Sequence, residues 1–142
     1  MWIMTTNQEL AATPSNSARV IGLIVGDVAI FALFVIIGRR SHAEGVNAMD
    51  VVNVAAPFVI GWGIAAPLLK LYTPAISDHT KTALQRTALA WCLAAPIGLT
   101  LRSVLWKHDF KPGFAITTFI FNMILLLAWR GWSAYRTGKQ SR

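Results

Sequence analysis

The sequence is short of charge. Only 13% of its 142 residues are Asp, Glu, Lys or Arg, where a soluble domain of ordinary composition carries about a quarter. That excludes a solvated globule and equally a disordered acidic or basic chain. Acidic groups are the scarcer sign, six against thirteen Lys plus Arg, for a net charge of +7. Such an excess can mark a nucleic-acid partner. Here 55% of the residues are hydrophobic, and basic residues flanking apolar segments are what membrane topology requires, so no nucleic acid is expected. The single cysteine, Cys92, excludes an intrachain disulfide framework or a cysteine-rich zinc site. His42, His79 and His108 fall in loops, and no two share a helix face for metal or haem ligation. No H-E-x-x-H, G-x-S-x-G, P-loop or dinucleotide glycine motif occurs. No metal and no cofactor are therefore expected.

What is present is long apolar runs. Val20–Gly38, Val51–Leu71, Ala83–Leu101 and Phe114–Trp132 stand out. At 1.5 Å per residue, a helix of about 20 residues reaches roughly 30 Å, the thickness of a bilayer's hydrocarbon core. None alternates with the period of a barrel strand. Loops of about a dozen residues favour neighbouring helices of opposite direction. The expected fold is all-α: a transmembrane bundle of four antiparallel helices, up-down-up-down. It spans residues 20–132, between a polar tail over 1–19 and a basic tail over 133–142. Ser15 or Ser17 is placed to cap the first helix, behind Pro14. Arg19, Lys70, Lys81, Arg86, Arg130, Arg136, Lys139 and Arg142 fall on one side, against Arg39, Arg40, Arg102, Lys107 and Lys111 on the other. The positive-inside bias then puts both termini in the cytoplasm.

Some residues at membrane depth call for a reason. Asp27 lies seven residues into the first span, where a lone carboxylate costs at least about 2.5 kcal/mol. It is either an ion pair with Arg86 or Arg130, both at suitable depth, or a proton- or ion-coupling group. Asp27 shares a helix stripe with Leu23, Phe31 and Phe34. Gly22 and Gly26 form a G-x-x-x-G through which helices, including those of a second copy, can approach closely. Asn53, Pro57, Gly61 and Ala65 repeat every four residues as a bundle-facing stripe. Pro57 and Pro96 kink their helices at similar depth, with Pro67 lower, and either widen a cavity or are absorbed by neighbours. Trp62 and Trp91 fall mid-span, where an indole N–H needs a partner. Asn122 is one candidate, and a quinone or pigment between the rings is another. Trp106, Trp129, Trp132, Tyr72 and Tyr135 read as interfacial belt anchors. At the outer end Arg39, Arg40 and His42 gather with Arg102, either as an anion or headgroup site or as side chains snorkelling to lipid.

These residues carry a resemblance. Asp27 with Phe31-Ala32, Gly38-Arg39-x-Ser41-His42, Ala56-Pro57-Phe58 before Gly61-Trp62, Trp91 with Pro96-x-Gly98 and Leu101-Arg102, and Phe121 before Leu127-x-Trp129-Arg130 together resemble an uncharacterised domain-of-unknown-function family. Its members are small prokaryotic four-helix membrane proteins, found widely in actinobacteria and halophilic archaea. The resemblance implies that Asp27, Arg39, His42, Pro57, Trp62, Arg102 and Arg130 match the family pattern, a prokaryotic plasma membrane as location, and no established activity. From the residues themselves, the expectation is a non-catalytic accessory or interaction subunit. It would bind a partner chain, an anionic lipid or a small anion through the outer basic cluster, or self-associate through Gly22 and Gly26. A small transporter coupled at Asp27 is the alternative. An enzyme acting on a lipid phosphate lacks a nucleophile.

Overall fold

A computed structural model describes residues 16–140 of the chain. Among them there are five helices and no strand: α1 (Asn16–Ser41), α2 (Ala48–Leu68), the single turn α3 (Pro74–Ser77), α4 (Thr80–Val104) and α5 (Pro112–Gln140). The four long ones are each long and apolar enough to cross a membrane. Ser15 and Pro14, one expected cap, lie outside the described residues, and Ser17 is inside α1. α5 continues past Trp132, through the stretch read as a basic tail, to Gln140.

Helix ends follow local chemistry. Asn47 caps α2 by accepting a hydrogen bond from the Asp50 N–H at 2.9 Å. Arg39 and Arg40 occupy the last turn of α1 and Arg102 that of α4, where cations meet the negative end of the helix dipole. Two ends depart from expectation. α1 and α2 each close in a Schellman turn: Glu44 N–H reaches Arg39 O at 2.9 Å, and Leu71 N–H reaches Ala66 O at 3.0 Å. The left-handed residue in each is Ala43 or Lys70, both with φ 56°. Glycine is the usual resident of that position, so nothing in the sequence flagged the second turn. α2 therefore stops at Leu68, and the chain reverses at Lys70 to send Leu71 and Tyr72 back toward the bundle.

α2 and α4 make the closest packing, and small residues permit it. A Cβ on Gly61 would lie 2.6 Å from the Ala94 carbonyl oxygen, and one on Gly98 would meet Phe58. Pro57, Gly61 and Ala65 are buried as expected of their stripe, whereas Asn53 is exposed. The core between the helices is aromatic, with Phe31, Phe58, Trp62 and Trp91 at its centre. Outside, Ile21, Ile24, Val25 and Val28 of α1, Ile60 and Ile64 of α2, and Ile116, Ile120 and Ile124 of α5 are exposed. Aliphatic side chains outside and Asp27, Thr87, Thr118, Asn122 and Arg130 buried inside is the arrangement expected of a bundle immersed in hydrocarbon.

The Gly61 contact is with backbone that cannot rotate aside. Gly61→Ala should cost about 1–3 kcal/mol of overpacking, read as a lowered unfolding midpoint in detergent. Gly63→Ala, where a Cβ meets nothing within 4 Å, should not lower the midpoint and should raise it slightly, since alanine is the better helix former by up to about 1 kcal/mol.

Candidate functional site

Two polar centres occupy the bundle, one in its middle and one at the end of α1 and α4. The first is built on Asp27, which is 1% exposed. Arg130, 2% exposed on α5, grips it bidentately, Nε to Oδ1 at 3.0 Å and Nη2 to Oδ2 at 2.5 Å. Three further donors complete the shell. Trp129 Nε1 donates to Oδ1 at 3.1 Å, Trp62 Nε1 to Oδ2 at 3.0 Å, and the Tyr72 hydroxyl to Oδ2 at 2.8 Å. Arg130 also donates through Nη1 to Leu71 O at 3.3 Å and lies over the Tyr72 ring, 4.9 Å from its centroid. Burial, reinforced by the Asp27 charge, pushes the Tyr72 hydroxyl well above the usual tyrosine range, so it remains a donor.

Of the two expected partners of Asp27, the structure brings Arg130 and leaves Arg86 exposed on α4. Sequence reasoning missed Tyr72 and Trp129, both read as belt anchors. Tyr72 reaches inward because of the Lys70 reversal. Trp129 does so because Gly26 leaves a socket for its ring: a Cβ on Gly26 would overlap the indole. The glycine next to the buried carboxylate was the available signal. Gly26 thus packs against α5 of its own chain, while Gly22 faces open space, so the two do not form one free G-x-x-x-G face.

The mid-span tryptophans also differ from expectation. Trp62 takes Asp27 as its acceptor and Trp91 takes Phe119 O at 2.9 Å. Asn122 is partner to neither, since its Nδ2 donates to Thr118 O at 3.0 Å. Phe31 packs against both indoles, 6.1 Å from Trp62 and 5.6 Å from Trp91 between ring centroids.

The second centre is an open cleft of about 840 Å³. Its walls come from the C-terminal end of α1 (Phe34, Gly38, Arg39, His42), from Arg102, and from the α4–α5 connection and first turns of α5 (Lys107, His108, Lys111, Phe114, Thr118, Phe121). Pro57 and Pro96 do not line it: Pro57 is buried in the core and Pro96 is exposed. The opening instead lies where α1 parts from α5 beyond the Phe34–Phe121 contact, whose ring centroids are 6.3 Å apart. The predicted cationic residues divide. Arg39 is held by Gly45 O at 2.8 Å, Asp50 at 3.0 Å and Glu44 at 3.2 Å, as a brace for its own loop. Arg40 is exposed and outside the lining, and His42 is exposed on the rim. Arg102 lies over the Phe114 ring, 4.5 Å from its centroid, and its buried Nη1 has no hydrogen-bond partner. Among the described residues no three His, Cys, Asp or Glu side chains group as a metal site.

Removing one member of the central pair strands the other's charge. Asp27→Asn and Arg130→Gln should each cost about 3–5 kcal/mol, read from unfolding in detergent. The double variant should recover a large part of that loss, and additive losses would show that the charges do not depend on each other.

No curated protein and no solved structure matches the chain. Residues 24–133, from before Asp27 to beyond Arg130, match a family described as a protein of unknown function, DUF3054. Both polar centres, α2 and α4 lie inside that match with most of α1 and α5, and the chain belongs to the DUF3054 family.

Proposed function

We propose that this protein is a non-catalytic, multi-pass membrane protein that holds an anionic group, phosphate or carboxylate, in the cleft beside Arg102. The observation carrying the reading is the Arg102 guanidinium. It is fixed in place over Phe114, and its buried Nη1 is left without a protein acceptor. Buried guanidinium N–H groups are costly to leave unpaired, and a planar fork is suited to a two-oxygen anion. Lys107 and Lys111 add positive charge to the same cleft and outnumber Asp109, while Glu44 is spent on Arg39. Short loops support spans of alternating direction. So do the pairing of Arg19 with Asp78 at one end and the meeting of Gly38 and Arg102 at the other. With both termini in the cytoplasm of a prokaryote, the cleft opens outward. An accessory role in a larger membrane assembly is compatible with this.

Ion coupling at Asp27 has less behind it. Both carboxylate oxygens are taken by five donors from four side chains, leaving no open face for a passing cation.

Thermal unfolding in a neutral detergent, titrated with phosphate or glycerol 3-phosphate against chloride at matched ionic strength, tests the reading. Binding to the folded state alone raises the midpoint. The wild-type midpoint should rise and that of Arg102→Gln should not. Equal responses in both would remove Arg102 from anion binding.

A further inference from the structure

We infer that the occupant of this cleft is a membrane lipid with an anionic phosphate headgroup, which enters sideways between α1 and α5 and is gripped below its headgroup by Thr118. The inference rests on the anion-site reading and adds the ligand's body and its route.

The cleft has two zones along one axis. Its outer part is polar and net positive, with Arg102, Lys107 and Lys111 against Asp109 and with Glu44 paired to Arg39, and its inner part is apolar, with Phe34, Val35, Val54, Phe114 and Phe121. From Gly113 to Phe121 along α5 it runs roughly 12 Å into the bundle. A bare phosphate is worth only a few water volumes of about 30 Å³ each, so it would leave most of the roughly 840 Å³ empty and its aromatic wall unused. A lipid fills both zones at once: phosphate oxygens on Arg102, glycerol and upper chain on the phenyl rings.

Thr118 is the independent observation. It lines the inner zone, is 1% exposed, and its hydroxyl has no hydrogen-bond partner. A buried hydroxyl is ordinarily satisfied, and an ester carbonyl one step below a phosphate is an acceptor at the right depth. The route is lateral because Ile37 and Phe121, which line the cleft, are each 39% exposed on the outer surface. In a bilayer that surface faces acyl chains. Arg102, Lys107 and Lys111 outnumber Asp109 in the cleft, so a zwitterionic head would set its own cation against a net positive wall, and the charge pattern selects against phosphatidylcholine.

Native mass spectrometry of the detergent-purified protein, given equal amounts of dioleoyl phosphatidate and dioleoyl phosphatidylcholine, tests this. The wild type should retain one phosphatidate with about tenfold preference, equivalent to one good charged contact. Thr118→Val, which keeps the shape and removes the hydroxyl, should retain lipid about threefold less well at unchanged headgroup preference. Arg102→Gln should abolish the preference. Lys107→Gln with Lys111→Gln, at exposed loop positions, should reduce it. Inorganic phosphate that competes as strongly as phosphatidate would overturn the lipid assignment and leave the anion site standing. A wild type without headgroup preference, together with a phosphate response that ignores Arg102, would overturn both.

Discussion

The Asp27–Arg130 pair is the contact on which the rest of the bundle depends. In hydrocarbon neither charge has water to fall back on, so each requires the other in one geometry. That requirement fixes the rotation of α1, turning Leu23, Phe31 and Phe34 inward with Asp27 and leaving Ile21, Ile24, Val25 and Val28 to the lipid. It also draws together parts of the chain far apart in sequence: Trp62 on α2, Tyr72 after it, and Trp129 and Arg130 on α5. A buried ion pair adds little net stability over a well-packed apolar substitute, but it specifies arrangement strongly. Here it specifies which face of a nearly uniform apolar helix points inward.

The lock and the cleft are two consequences of one geometry. α1 is held at mid-height by the carboxylate and its donors, and a little farther along by the Phe34–Phe121 contact. Beyond that point it parts from α5, and the space between becomes the cleft. Arg39, at the far end, braces the α1–α2 loop through Gly45, Glu44 and Asp50. Arg102 is thereby left as the cation whose bonds the protein does not complete.

Aromatic residues serve three separate purposes. Phe31, Phe58, Trp62 and Trp91 fill the core by tilted and edge contacts. Trp62, Trp129 and Tyr72 spend their polar atoms on Asp27. Phe114 positions Arg102 by lying beneath it. Trp132 and Tyr135 are exposed, at 52% and 61%, which suits residues at a membrane interface.

Length and hydropathy alone determined that four helices span a membrane, because a backbone in hydrocarbon must satisfy its own hydrogen bonds and needs about 20 apolar residues to do so. The same reasoning made a buried Asp27 demand a cation at similar depth, and it offered Arg86 and Arg130. The sequence could not tell Arg130 from Arg86, because depth along a helix is legible in one dimension and rotation is not. It could not place Tyr72, whose inward path depends on a left-handed Lys70 where no glycine announced a turn. Nor could it separate the basic residues near the cleft: Arg39, Arg40 and Arg102 read alike in sequence. Only the folded chain, by supplying acceptors to one, solvent to another and an aromatic ring but no acceptor to the third, made them different.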